Sequence, residues 1–197
     1  MQITFACVAS GPSLTMEDCL KLSSVHIPTI AINNSWRAAP FCTVVYAADC
    51  CWWEACNNEI TIPAERWCGD SFTANRFGIN YFSSKIPGSF NSGQRAIELA
   101  IHMGASRVLL VGYDCSVRKG THWHGRHAQL ANPDSFSINR WQCEFEQLKA
   151  RACGVEIINC SRSTRLRCFP KMKLETAIER LLLETGPRRS DLPLLTM

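Results

Sequence analysis

The sequence predicts an α/β fold: a Rossmann-like three-layer α/β/α sandwich with a mostly parallel sheet and a histidine-rich lid loop. Three observations predict it. Short apolar runs alternate with amphipathic stretches along the 197 residues. The first run, Ile3 to Ala9, passes into Ser10-Gly11-Pro12-Ser13, a glycine turn ahead of a helical pattern. The stretch Asn91 to Asp114 reads as a turn, a helix, a tight stop at Gly104 and a buried strand, Val108 to Val111.

Taken in order, Ile3 to Ala9 is a buried strand, and Leu14, Cys19, Leu20 and Leu22 give the next helix its apolar face, with Pro12 in its first turn. Thr29 to Ile32 is a second strand, ending at Asn33-Asn34-Ser35; Thr43 to Ala48 is a third, ending at Asp49. Cys50 to Asn57 is a short helix whose Trp52 and Trp53, like Trp67, are expected in the core. Ile60 to Ile62 and Ile79 to Phe82 are read as short strands with a loop between them, and Lys85 to Asn91 as a Pro/Gly/Ser loop. In the helix that follows, Ala96, Ile97, Ala100, Ile101 and Met103 share one face.

Ser116 to Asp134 is a polar loop of lid length. Ile138, Trp141, Phe145, Leu148 and Ala152 then follow at 3-4-3-4 spacing, a helix capped by Asn132-Pro133-Asp134-Ser135 and ended by Gly154. Val155 to Asn159 is a last strand, running into Cys160-Ser161-Arg162-Ser163. Leu174, Ala177, Ile178, Leu181 and Leu182 form the final amphipathic helix. One domain, residues 1–184, and a C-terminal tail, 185–197, are expected; Leu192 to Leu195 reads as a contact in a homo-oligomer or as a disordered end.

Composition narrows the function. With 46% hydrophobic and 19% charged residues the chain is an ordinary globule, not a disordered one. A net charge of +4 is too small to argue for duplex DNA binding. No apolar stretch approaches a bilayer span, so no membrane partner is expected. The 12 cysteines show no repeated CxxC spacing and no signal pattern precedes them, which points to reduced thiols and a cytoplasmic location. Cys7, Cys42 and Cys160 read as small buried hydrophobes; Cys50, Cys51, Cys56 and Cys68 cluster, without the spacing of a zinc ribbon or knuckle.

The candidate site is assembled from strand ends. Asn91-Ser92-Gly93 opens a helix whose free N–H groups and positive dipole end suit a phosphate. Ser10, Gly11, Pro12 and Ser13 form a second wall, and Asn33, Asn34, Asp49, Gly112 and Asp114 lie at the carboxyl edge of the sheet, where open α/β folds bind ligands. Thr121-His122-Trp123-His124-Gly125-Arg126-His127 holds three of the five histidines. Three chemistries fit it: a metal site, a general base, or a phosphate clamp from His⁺ and Arg126. A solvated loop rich in histidine by chance is the bland alternative.

This order of motifs resembles the sialyltransferases of glycosyltransferase family 42. The family's Gly-Asn-Gly-Pro-Ser-Leu turn is similar to Ala9-Ser10-Gly11-Pro12-Ser13-Leu14, with Ser10 in place of the asparagine. Its nucleotide-contacting asparagine matches Asn33, its Thr-Ser-Gly and Gly-Ile-Asp segments match Asn91-Ser92-Gly93 and Gly112-Tyr113-Asp114, and its catalytic Ser-His-Tyr segment matches Thr121-His122-Trp123. The family's Cys-Pro-Asn-Ser is similar to Cys160-Ser161-Arg162-Ser163, but its tyrosine pair at the leaving phosphate has no clear counterpart. The same set resembles the wider MptE-like family of 6-hydroxymethylpterin diphosphokinases, and its small phage and prophage members most of all.

The resemblance implies a phage-type glycosyltransferase using a CMP-sugar-like, nucleotide-activated donor and no required cofactor. It implies His122 as the base, His124 as its rival, and Arg126 or His127 balancing charge on the departing phosphate. The acceptor would be a glycan, a small molecule or a modified nucleic acid. The alternatives are a Mg²⁺-dependent diphosphotransferase, with Asp49 and Asp114 facing the metal, and a non-catalytic nucleotide-binding protein.

Overall fold

A computed structural model describes residues 2–86, 91–128, 130 and 132–185. Seven parallel strands form one sheet: β1 (Thr4–Val8), β2 (Thr29–Ile32), β3 (Val44–Ala47), β4 (Glu65–Cys68), β5 (Asn80–Tyr81), β6 (Arg107–Val111) and β7 (Glu156–Asn159). Their order across the sheet is β5-β4-β3-β2-β1-β6-β7. The chain therefore builds outward from β1 to β5, then crosses back to lay β6 on the other side of β1. The gap beside β1 and β6 is the switch point where open sheets bind ligands.

Helices cover both faces, as parallel strands buried on both sides require. Phe5, Cys7, Ile30, Val108 and Leu110 meet α4 (Ser92–His102) and α5 (Ser135–Arg151) on one face. The alternate residues, Ala6, Val8, Leu109 and Val111, meet α1 (Met16–Ser24) and α6 (Leu174–Thr185) on the other. On that second face, α2 (Cys50–Cys56) and α3 (Ser71–Phe77) pack further along, over Ala31, Val45 and Ala47. Trp52 and Trp53 lie buried there, edge to face at 5.0 Å, so they serve the core as expected.

The structure departs from the sequence reading at several elements. Ile60 to Ile62 is not a strand; the strand is β4, and α3 occupies the expected loop before Ile79. Glu65-Arg66-Trp67-Cys68 lacks the apolar run of a central strand because it lies next to the sheet edge, half-exposed. Asp70 caps α3 by accepting from the Thr73 N–H, and Gly78 closes it at φ 64°. Helix α1 begins four residues after Pro12, at a capping box in which Thr15 and Asp18 bond reciprocally. Leu20 and Leu182, assigned to buried faces, are 68% and 53% exposed. The segment after β2 is a single 3-10 stretch, Asn33–Arg37. The expected tail from residue 186 and residues 87–90 of the Lys85–Asn91 loop lie outside the described residues. Among the described residues no helix is long and apolar enough to cross a membrane.

Candidate active site

The carboxyl ends of β1, β2, β3 and β6 border a cavity of about 300 Å³. Helix α4 points its N-terminus into it, α5 forms the far wall, and the histidine loop closes one side. A cavity of this size suits a small-molecule ligand.

Three hydrogen bonds hold the N-terminus of α4. Asn91 accepts from the Gln94 N–H, and Ser92 Oγ accepts from the Ala48 N–H at the end of β3. The Tyr113 hydroxyl donates to the Gly93 carbonyl at 3.0 Å. Ser92 and Gly93, at the first two helical positions, have no intrahelical acceptor for their amides, and both residues line the cavity. The floor adds Asn33, which holds φ 51° and whose Oδ1 is buried with no hydrogen-bond partner among the described residues. A left-handed backbone and an orphaned amide oxygen at a cavity floor mark a position shaped for a ligand. Asp49 stands exposed at the rim, where surrounding protein raises its pKa and the Arg95 charge opposes the rise.

The Gly11 turn is different. Gly11 N–H donates to the Gly112 carbonyl at 2.8 Å, Leu14 N–H to the Gly11 carbonyl, and Ser13 N–H to Asp114 Oδ2. Ser13 Oγ donates to Asp114 Oδ1 at 2.6 Å. The amides of Gly11, Ser13 and Leu14 are thus spent inside the fold, and Pro12 has none to offer. The turn shapes the cavity rather than cradling a phosphate with its N–H groups. Asp114 is 3% exposed, and burial raises its pKa against the Ser13 bonds. Its carboxylate is a joint between β1 and β6.

The histidine loop is tied to the end of β1 through Trp123 and held within itself by two further contacts. Trp123 N–H donates to the Ser10 carbonyl, and Gly125 N–H to the His122 carbonyl. Asn132 accepts from the His127 N–H and donates to the His127 carbonyl, each at 2.9 Å. Among the described residues no strand runs through the loop; turns bring the imidazoles together. His122 Nδ1 lies 3.1 Å from Ser10 Oγ, while its Nε2 is buried without a partner among the described residues. Burial, then the neighbouring His127 and His124, pushes the His122 pKa down to about 4, so its ring is neutral at pH 7.

Of the residues read from the sequence, Ser10, Gly11, Pro12, Asn33, Asp49, Asn91, Ser92, Gly93, Gly112, Asp114, His122 and His127 border the cavity. Four do not. Ser13 turns to Asp114; Asn34 turns to α2, accepting from Trp52 Nε1; His124 stacks behind His122; and Arg126 is exposed. Among the described residues the cation bordering the cavity is Arg140 of α5, paired with Glu144. It was legible in principle, since Arg140 neighbours Trp141 and lies between Ser137 and Phe145 at helical spacing, and all four face inward. Among the described residues the cysteine cluster forms no group of three or more placed to share a metal ion: Cys56 and Cys68 are buried in the core while Cys51 is exposed. All 12 cysteines are free, and Cys115 at the cavity is held protonated, its pKa pushed up to about 12 by burial.

No family model and no curated protein matches the sequence. The fold is similar to that of the MAf glycosyltransferase from Magnetospirillum magneticum AMB-1, at a TM-score of 0.59 and 13% identity. That similarity takes in 92% of this chain and 37% of the other, so this chain spans little more than a third of the neighbour's length. It shows an open α/β fold.

Proposed function

We propose that the chain is a glycosyltransferase that moves a sugar from a nucleotide-activated donor to an acceptor hydroxyl. The observation that carries this reading is the convergence of three unlike groups on one cavity at the switch point: the α4 amides, the orphaned Asn33 oxygen, and the neutral ring of His122. A fold shared with a glycosyltransferase supports the same class. The donor phosphates would rest on the Ser92 and Gly93 amides, and Asn33 and Asp49 would read ribose or base. His122 takes the acceptor proton as the acceptor oxygen bonds to the anomeric carbon. The bond from that carbon to the phosphate oxygen breaks, and the phosphate leaves with the electron pair. Arg140 offsets its charge.

The transfer so drawn needs no metal. A Mg²⁺-dependent diphosphotransferase is less well supported, because Asp114, one of its two candidate carboxylates, gives both oxygens to Ser13. Thermal shifts with CMP, UDP, ADP and GDP, with and without Mg²⁺, rank the ligands. Stabilisation that appears only with Mg²⁺ would overturn the reading. With the best nucleotide's sugar donor, His122→Ala is expected to lose ~10²–10⁴ in turnover while keeping nucleotide binding.

A further inference from the structure

The three imidazoles of the loop form a cluster that proton transfer alone does not require. Their ring centroids make a nearly equilateral triangle, 5.1 Å from His122 to His124, 4.8 Å from His122 to His127 and 4.9 Å from His124 to His127. One ring nitrogen from each lies within 4.8 Å of the other two. The Nε2 atoms of His122 and His124 are both buried with no hydrogen-bond partner among the described residues. Two orphaned ring nitrogens side by side are costly unless something fills the space they face.

We infer that His122, His124 and His127 together bind one divalent transition-metal ion of the zinc class. Three neutral imidazoles select Zn²⁺, Co²⁺, Ni²⁺ or Cu²⁺ over Mg²⁺ and Ca²⁺, which want oxygen. Tetrahedral zinc holds its nitrogens at ~2.0–2.1 Å, hence roughly 3.3 Å apart, so the triangle must contract. The rings of His122 and His124 lie 8° from parallel, and one must pivot for the lone pairs to converge. The backbone anchoring is already built: the Trp123 and Gly125 amides fix the His122 end of the loop, and Asn132 grips His127 by both backbone groups. Ser10 Oγ at His122 Nδ1 is the outer partner that orients a ligating histidine and leaves Nε2 for the ion. Because His122 and His127 border the cavity, the fourth coordination position opens onto it.

Resting on the proposed base role of His122, this site is also a control point. A lone pair given to a metal is not available to a proton, so zinc would silence transfer and a chelator would restore it.

The chelator-treated full chain is titrated with Co²⁺ and, separately, with Zn²⁺ in a calorimeter. The expected result is one equivalent bound, with the visible absorption of four-coordinate cobalt and no sulfur-to-metal charge transfer. Exposed Cys51, Cys143 and Cys153 are the rival ligands, and a triple Cys→Ser variant should bind unchanged. His124→Ala and His127→Ala should each weaken binding beyond the ~10–100-fold typical of a lost outer partner, while Ser10→Ala should cost within that range. Their metal-free melting temperatures should match the metal-free parent, which separates ligand loss from misfolding. Absent cobalt absorption, or binding unchanged in both histidine variants, overturns the metal site whatever turnover does. Binding as expected with turnover unaffected by zinc leaves the metal site standing and overturns the base assignment.

Discussion

Gly112 and Gly78 allow the close packing of the switch point to be weighed. Both hold positive φ, 74° and 64°, so alanine at either pays ~1–2 kcal/mol for the left-handed conformation. Around Gly78 nothing lies within 4 Å of where a Cβ would stand. At Gly112 the Cβ would fall inside 3.0 Å of the Ala9 carbonyl oxygen, which itself belongs to the backbone next to β1 and cannot swing away. Overpacking of this kind costs ~1–3 kcal/mol beyond the conformational term. Gly112→Ala should therefore be less stable than Gly78→Ala by about 2 kcal/mol, seen as roughly 4–8 °C in the thermal midpoint of a chain this size. Urea denaturation of both variants gives the difference directly, provided m is unchanged. Equal midpoints for the two would mean that β1 and β6 separate easily at their carboxyl ends. The cavity would then not be a rigid site, and the argument that its amides are pre-positioned would fail.

Other outcomes follow from the same geometry. Asp114→Asn leaves one Ser13 donor facing an amide NH₂, and should destabilise the fold by ~1–3 kcal/mol in urea titration. Arg140→Ala should weaken binding of the nucleotide donor roughly 10-fold or more in calorimetry, and should also lower the melting temperature, since Arg140 pairs with the buried Glu144. Glu156 joins the 2%-exposed Arg107 and the Arg180 guanidinium in an ion cluster, and its pKa lies below the ordinary value despite partial burial. A depressed carboxylate contributes stability above its unfolded pKa of ~4.3 and loses it as pH falls through the folded value. Melting temperature should drop below about pH 4.3 in the parent, and drop less steeply in Glu156→Gln.

How much of this was legible in the sequence varied with the kind of signal. Strands buried on both faces, such as Val108 to Val111, are continuous apolar runs and declared themselves. So did α5, whose 3-4-3-4 spacing and Asp134 cap are local properties. β4 did not, because a strand near a sheet edge carries exposed residues and Glu65-Arg66-Trp67-Cys68 has no periodic pattern to detect. α3 was hidden for a related reason: only seven residues long, it depends on Asp70 and Gly78 at its ends more than on its face. At the site, residue types at strand ends could be read from turns and polarity, but their partners could not. Helical spacing puts Arg140 on one face with Trp141 and Phe145, but nothing local says that this face meets the same cavity as Asn33, or that Ser13 pairs with Asp114, 101 residues away.

That long-range pairing changes the physical picture of the site. In a dinucleotide-binding βα turn, glycines let a phosphate approach free amides at the first helix. Here the equivalent turn has the glycine but not the free amides. Gly11 is needed because β1 and β6 approach so closely that a Cβ on it would fall inside 3.0 Å of Asp114 Oδ1 and the Gly112 carbonyl oxygen. Helix α1 starts late, at Thr15, whose capping box keeps the helix end to itself. The helix start that borders the cavity lies instead across the switch point, at α4, the helix that returns the chain to the far side of β1. The same crossover feeds β6, and β6 launches the loop that carries the three histidines. In the proposed reading, phosphate recognition and proton or metal chemistry would both fall to this one continuous helix–strand–loop segment, with the β1 turn as the wall between them.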